Sequence, residues 1–402
     1  MVYICVVNPA ILAAGGIPAG AAFTATCLSA AFGCILMGLL AGLPVALAPG
    51  MGINAFIAYT LCQSMAWQTA IGCVAVSGVI FLGISLTPLR EKLIEAIPDS
   101  LRRGAAAGIG VLLGLVGLKN ASIVAANPAT IVGEGALGSP PALIAVAGLA
   151  VIVALEGRRV AGSVLVAVAC CAAGAVGLGL HPWEGVFASP PSLAPTLLVA
   201  DWRAALEPGM LAAILALLWS DFFDTAGTLV GVTRAIPGPD GDIKPAQMRK
   251  AMLADAVATL FGACVGTSTV TSFAESAAGV AVGARTGLAA CTTGVLFLVA
   301  LFFYPLTSSV APFATTPALL FVAASMMKAL AGLDWDDVTE WVPAITTVLG
   351  IGLCFSIASG VGIGAIVYVI GKFLSGRQRD IPLGLALVAV LFVLKVALLP
   401  QS

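Results

Sequence analysis

Long apolar stretches separated by short charged or proline-rich connections follow one another through the whole chain. Segments such as 23–42, 67–88 and 286–305 approach or reach the roughly 20 residues that a helix needs to cross a bilayer. The chain is 60% hydrophobic and only 9% charged, and its mean hydropathy is +1.11. This composition excludes a soluble enzyme and a disordered chain, and it predicts an all-α polytopic membrane protein.

The basic residues indicate how the helices are oriented. Most of them fall in alternate connections, for example Arg102 and Lys250, whereas the opposite connections hold little beyond Lys119 and Arg203. This asymmetry is the positive-inside pattern of membrane proteins. Together with the apolar runs, it predicts about 14 spans in the cell membrane and a cytoplasmic N-terminus.

A proline-rich stretch at 181–207 divides the chain into halves of about seven spans each. An odd number of spans places the two halves in opposite orientations, as in the inverted repeats of many transporters. We therefore predict a first repeat at 1–180, an extracellular or periplasmic linker at 181–207 and a second repeat at 208–402. The opening apolar run is too short for a full span, so we expect span 1 to be truncated.

Two segments, one in each half, contain residues that weaken a continuous helix. The first, 44–56, carries Pro44, Pro49 and several glycines, and the second, 266–280, is rich in Gly, Ser and Thr. They predict interruptions in the third and tenth spans, the pattern of a transporter whose broken helices line a site near the membrane midplane. The alternative is that Gly and Pro are simply common in membrane helices.

Acidic side chains at membrane depth are costly, and they mark a substrate or ion path. Glu275 lies in the second interrupted segment. Asp221 and Asp224 are three residues apart and share a helical face, with Thr228 one turn beyond Asp224. Asn54 offers a donor and an acceptor inside the first interrupted segment. We predict that these residues bind a ligand with N–H donors and ring acceptors, with Asp221 in a supporting role; polar contacts between helices are the alternative.

Further candidates surround these residues. Phe273 is expected to stack on a planar ligand, although a lone aromatic in a membrane span more often serves packing. Asp255, on the preceding span, is expected to relay protons or to pair with a nearby hydroxyl. The residues predicted to support the site are Asp221, Asp255, Thr271 and Ser276.

Other chemistry finds no support in the sequence. The ten cysteines form no CxxC pair, His181 is the single histidine, and Walker, GxSxG and HExxH motifs are missing. We therefore predict no metal, no cofactor and no enzymatic activity.

Two polar segments receive simpler interpretations. The amphipathic run 88–98 is expected to form a helix on the cytoplasmic surface. The acidic connector is expected to be solvated; it comprises Asp334, Asp336, Asp337 and Glu340.

Several long motifs resemble the AzgA-like purine permeases, a branch related to the nucleobase–ascorbate transporters of the nucleobase:cation symporter-2 type. These motifs are 48–56, 117–121, 126–130, 221–232 and 266–280 with 283–287. The resemblance covers nearly the whole chain, in order.

The resemblance implies a core domain of spans 1–4 and 8–11 and a gate domain of spans 5–7 and 12–14. It implies proton-coupled uptake of adenine, guanine or hypoxanthine, with the binding acids on Asp224 and Glu275 and the asparagine of span 3 on Asn54. Members of the family usually carry Tyr where this chain has Phe273. The implied partners are the purine and membrane lipid, without nucleic acid. A homodimer is left open, because some relatives are dimers.

Two alternatives remain open at this point. One is a related symporter of uracil, xanthine or urate. The other is an anion channel or exchanger on the same inverted-repeat scaffold. The second requires a basic residue in the binding cleft, and the sequence places none beside Asp224 or Glu275.

Overall fold

The computed structural model describes residues 1–87, 98–127, 131–158, 160, 162–234, 236, 243–281, 283–354 and 357–398. The predicted surface helix at 88–98 lies almost entirely outside these residues. The first half contains, in order, α1 Ile4–Ala14, α2 Ala19–Leu36, β1 Leu47–Pro49, α3 Met51–Phe56, α4 Cys62–Ser64, α5 Trp67–Leu86, α6 Asp99–Asn120, β2 Val124–Asn127, β3 Ile131–Glu134, α7 Pro140–Gly157 and α8 Ser163–Gly177.

The described part of the second half also consists mainly of helices, with one short strand. Its elements are α9 Trp202–Ala205, α10 Leu211–Arg234, α11 Pro245–Val265, β4 Val270–Ser272, α12 Ser276–Ala281, α13 Gly287–Ala300, α14 Tyr304–Ser308, α15 Thr316–Met327, α16 Val338–Cys354, α17 Ile357–Leu374 and α18 Leu383–Leu398. The strands form two antiparallel pairs, β1 with β4 and β2 with β3.

Among the described residues, seven helices are long and apolar enough to cross a membrane by length and composition. They are Ala19–Ala41, Trp67–Leu86, Asp99–Asn120, Pro140–Gly157, Pro208–Ala226, Gly287–Ser308 and Pro312–Gly332. Shorter apolar helices accompany them at Ile4–Ala14, Ser163–Gly177, Val338–Cys354 and Ser359–Leu374. The chain is therefore a helical multi-pass membrane protein, and the arrangement of about 14 spans as a 7+7 repeat stays a prediction.

The chain forms two compact units. The first comprises Met1–Thr87 with Lys119–Ala318, and the second comprises Pro88–Leu118 with Leu319–Ser402. This division differs from the implied core and gate, because α7 and α8 belong to the first unit instead of joining α6. Their packing gives the reason: Cys171 and Ala175 of α8 are buried in an apolar cluster with Ala311 and Ala314.

The break between α11 and β4 depends on a glycine. Gly266 follows the last residue of α11 with a φ of +87°, in the left-handed region that glycine adopts without penalty. A Cβ at this position would lie 2.5 Å from the backbone oxygen of Thr196, so the close approach also requires glycine. The turn ends the helix and directs the chain into β4.

The second unit contains an ionic cluster that corrects one expectation. Asp334 and Asp336 are exposed as expected, but the interpretation of the whole connector as solvated is wrong for Asp337 and Glu340. The ammonium of Lys372, whose side chain is only 1% exposed, lies 2.7 Å from Glu340 Oε1 and 3.4 Å from Asp337 Oδ2. A buried lysine needs such partners, because an unpaired buried charge is costly.

Further contacts complete the cluster. Glu340 accepts hydrogen bonds from Ser100 at 2.5 Å and from Tyr368 at 3.1 Å. The Thr339 hydroxyl, together with Arg377 and Lys372, holds the pKa of Asp337 well below its ordinary value. The cluster therefore ties the first turn of α6 to α16 and α17 within the second unit.

Replacing Lys372 by methionine is expected to destabilise the second unit. The change leaves Glu340 and Asp337 without their shared cation. Breaking a fully buried ion pair destabilises a protein by about 3–5 kcal/mol. Glu340 and Asp337 are partly exposed (22% and 18%), so we expect a smaller loss of stability. Thermal unfolding in detergent measures the effect, with Lys328→Met, an exposed lysine of the same unit, as the control. Equal unfolding temperatures for the two variants would contradict the assigned role of Lys372.

Candidate functional site

The two interrupted segments meet in a short antiparallel ladder. Leu47 pairs with Ser272, Ala48 with Thr271 and Pro49 with Val270. The pairing extends on both sides, because Phe273 N donates to Ala46 O at 3.0 Å and Gly50 N donates to Thr269 O at 3.1 Å. Both segments are therefore interrupted as predicted, while their numbering as the third and tenth spans stays a prediction. The ladder satisfies backbone groups that a broken helix would otherwise leave unpaired.

Each strand of the ladder leads into a new helix. Asn54 lies in the first turns of α3, five positions after Pro49, and Glu275 stands directly before Ser276, the first residue of α12. The Ser276 hydroxyl accepts a hydrogen bond from Ala46 N at 3.0 Å, so this predicted supporting residue links the two interrupted segments. An acid at the start of a helix is favoured by the exposed N–H groups there.

Asp224 and Glu275 are the two acids of this region whose side chains are exposed. Asp224 is exposed, whereas Asp221, three residues earlier on the same helix, is buried. The Thr271 hydroxyl forms a hydrogen bond with the Asp224 carboxyl, and Asp224 and Glu275 are near enough to interact electrostatically. The structure therefore brings together the two predicted binding acids, which are 51 positions apart in the chain.

The remaining predicted binding residues are less accessible. Asn54 is fully buried, its Oδ1 accepts a hydrogen bond from Ser268, and its Nδ2 has no hydrogen-bond partner among the described residues. Phe273 is 6% exposed, and Thr271 is 1% exposed. Thr228 is half-buried on α10, one turn beyond Asp224.

Asp221 and Asp255, predicted to support the site, are buried behind β4. The Thr259 hydroxyl donates to Asp221 Oδ2 at 3.1 Å, and the Thr225 hydroxyl donates to Asp255 Oδ1 at 2.7 Å. The expectation that Asp255 pairs with a nearby hydroxyl is confirmed by this second bond. Asp221 and Asp255 are thus buried, whereas Asp224 and Glu275 are exposed.

Sequence reasoning missed two polar residues of α1 and its N-terminal turn. The hydroxyl of Tyr3, a residue that is 4% exposed, donates to Glu275 Oε1. The amide of Asn8 donates to Thr26 at 2.7 Å and to Thr267 at 3.2 Å. Asn8 could have been found as a buried amide in an apolar run, but nothing in the spacing of Tyr3 points to Glu275.

Tyr3→Phe is expected to weaken ligand binding at Glu275. The change removes the hydroxyl that orients the carboxyl, and a hydrogen bond of this kind contributes about 1 kcal/mol, or roughly fivefold in affinity. Ligand binding to purified protein measures the effect. Tyr59→Phe is the matched control, since the Tyr59 hydroxyl bonds Asn120 instead. Equal or tighter binding by Tyr3→Phe would show that Tyr3 does not position Glu275.

The sequence pattern of a permease family, Xan_ur_permease, matches residues 1–363. The chain belongs to this permease family. The match includes both interrupted segments and every acid described above, so the protein is a membrane permease and not an enzyme.

Relatives of the permease carry assigned transport activities. It is 41% identical over 400 residues to the adenine permease AdeQ of Escherichia coli K12, covering 99% of this chain and 90% of that protein. It is 43% identical over 396 residues to the guanine/hypoxanthine permease PbuG of Bacillus subtilis 168, covering 95% and 90%. The expected resemblance to purine permeases is confirmed.

A solved structure shares the fold of the permease. The transmembrane domain of the cyanobacterial bicarbonate transporter BicA matches with a TM-score of 0.65 at 15% sequence identity, covering 88% of this chain and 92% of that one. At this identity the likeness shows the fold alone.

Proposed function

We propose that this permease takes up purine nucleobases, namely adenine, guanine and hypoxanthine, in symport with protons across the cell membrane. The observation that carries the proposal is the electrostatic interaction between the exposed acids Asp224 and Glu275, of which Asp224 is hydrogen-bonded to Thr271 of the β1–β4 ladder. Near-full-length relatives that are adenine and guanine/hypoxanthine permeases support the substrate class.

The chemistry of the site suits a purine. A neutral purine presents ring N–H groups, and the carboxylates of Asp224 and Glu275 are acceptors for them. The Asn54 amide lies on the opposite interrupted segment, and its Nδ2 has no hydrogen-bond partner among the described residues, so it can supply a donor for ring nitrogens or an exocyclic oxygen. Phe273 contributes apolar surface, and its backbone N–H holds the ladder.

Membrane placement completes the proposal. The positive-inside pattern supports a cytoplasmic N-terminus, and the strand-then-helix order of β1–α3 and β4–α12 supports an inverted repeat. The membrane potential then drives a proton inward by about 2.3 kcal/mol per 100 mV. A homodimer stays a prediction, to be tested by the mass of the detergent-solubilised protein.

The alternatives differ in the charge that the site must accept. Asp221, Asp224 and Asp255 interact electrostatically with one another, and Asp224 also interacts with Glu275. Four acids around β4 disfavour an anionic substrate, so they argue against an anion exchanger. A symporter of uracil, xanthine or urate would use similar acids, and competition separates it from a purine permease.

Uptake of radiolabelled adenine, guanine and hypoxanthine tests the proposal, in a bacterium that lacks its own purine permeases. We expect saturable uptake that a protonophore abolishes. Unlabelled uracil, xanthine and urate should compete weakly or not at all. Uptake that persists with the protonophore would contradict proton coupling, and displacement by uracil or xanthine at equal concentration would contradict the purine assignment.

A further inference from the structure

Two carboxyl groups lie behind the ladder, away from the exposed part of the site. Asp221 on α10 is 1% exposed and Asp255 on α11 is 0% exposed. Each receives one hydroxyl hydrogen bond, from Thr259 and Thr225 respectively. Their burial contrasts with the exposure of Asp224, three residues from Asp221 on the same helix.

In each of these carboxyl groups, one oxygen accepts the hydroxyl hydrogen bond and the other does not. Within the described parts of the chain, Asp221 Oδ1 has no hydrogen-bond partner, and Asp255 Oδ2 has none of good geometry, although the backbone N–H of Ser272 is near enough to the Asp255 carboxyl to interact with it. In those same parts, neither acid forms an ion pair with a lysine or arginine. The two groups are also near enough to interact electrostatically.

Two ionised carboxylates that are buried near each other are energetically unfavourable. Burial penalises each charge, and the like charge of the neighbour adds to the penalty. A proton bound by either acid removes one of the two charges. The pair should therefore be treated as one proton-binding unit, in which the proton belongs to both acids.

We propose that Asp221 and Asp255 together hold the co-transported proton, while Asp224 and Glu275 bind the purine. This inference rests on the proton-coupled function proposed above. The proton enters by way of Asp224, an exposed acid near enough to both members of the pair to interact with them electrostatically. It passes to the pair, and it leaves to the cytoplasmic water after the purine has been released.

The hydrogen bonds of the pair connect it to the substrate site. The Thr259 hydroxyl, which donates to Asp221, also accepts from Val270 N at 3.0 Å. The Thr225 hydroxyl, which donates to Asp255, accepts from Ser272 N at 3.3 Å. Both backbone groups belong to β4, so a change of charge on the pair alters the anchoring of the strand that leads to Glu275.

Asp255→Asn in proteoliposomes tests the inference. The side-chain amide binds no proton and removes the like charge that opposes ionisation of Asp221, so the unit no longer takes up a proton. We expect purine binding and purine counterflow, which need no net proton movement, to be retained. Accumulation driven by an inward pH gradient should fall at least about tenfold, within the usual range of coupling between sites.

Asp221→Asn is the second variant, and it should behave in the same way as Asp255→Asn. Glu207→Gln, which removes an exposed carboxylate near the start of α10, is the matched control and should accumulate purine normally. Full pH-driven accumulation by both aspartate variants would overturn the inference. Loss of purine binding by both would also overturn it, because the pair would then belong to the purine site or to the fold.

The wild-type protein separates the two proposals. If wild-type proteoliposomes accumulate purine with a sodium gradient and not with a pH gradient, the proton-coupled function itself fails. If wild-type accumulation follows the pH gradient while the variants also follow it, only the assignment of the proton to Asp221 and Asp255 fails.

Discussion

Glu275→Gln is expected to abolish most purine uptake by weakening purine binding. The carboxylate stands exposed at the start of α12, where the hydroxyl of Tyr3 orients one of its oxygens. Glutamine keeps the size of the side chain but replaces one acceptor oxygen by an NH₂ group, which faces the N–H donors of the purine. Losing a hydrogen bond to a charged group costs about 1.5–3 kcal/mol, or roughly 10- to 150-fold in affinity.

Binding and uptake by Glu275→Gln must be measured separately. Titration of purified protein with adenine and hypoxanthine gives the affinity, and radiolabelled uptake in cells gives transport at matched amounts of membrane protein. Glu207→Gln again provides the control, because it loses a carboxylate outside the site. Uptake that is unchanged and still sensitive to a protonophore would remove Glu275 from the mechanism.

The interruptions of the two spans could be predicted because their cause is local. Gly266 ends α11 with a positive φ, and Pro49 occupies the end of β1, so the sequence itself carries the reason for the break. The partner of each break could not be predicted in the same way. Leu47 and Ser272 are far apart in the chain, and their pairing depends on how α2, α10 and α11 pack around the ladder.

The acids show a second limit of sequence analysis. A spacing of three places Asp221 and Asp224 on one side of α10, near enough to interact electrostatically. The spacing does not say which acid is exposed and which is buried. The two side chains leave α10 in slightly different directions. As a result, α11 and β4 cover Asp221 and leave Asp224 accessible.

The prediction that the acidic connector is solvated was wrong in part, for a related reason. The acidic connector around Asp337 has the composition of a solvated loop, and its partner Lys372 stands far along the chain in an apolar helix. A lysine in such a helix could have indicated a buried ion pair, since an unpaired ammonium would be too costly there. Its partners, Asp337 and Glu340, become evident only when α16 and α17 pack together.

Asp224→Asn is expected to abolish uptake and to weaken purine binding strongly. The Asp224 carboxyl accepts from the Thr271 hydroxyl and is exposed, and a carboxylate has further acceptor positions that a ligand can use. Asparagine places a donor at one of these positions. The expected loss in affinity is again about 1.5–3 kcal/mol, or roughly 10- to 150-fold.

Asp224 should differ from Glu275 in a second respect, because it also faces the Asp221–Asp255 pair. If it passes the proton to that pair, Asp224→Asn at saturating purine should still show a loss of pH-driven accumulation, whereas Glu275→Gln at saturating purine should recover part of it. Asp336→Asn, an exposed aspartate of the second unit, serves as the control. Near-normal kinetics of Asp224→Asn would exclude this residue from both binding and proton transfer.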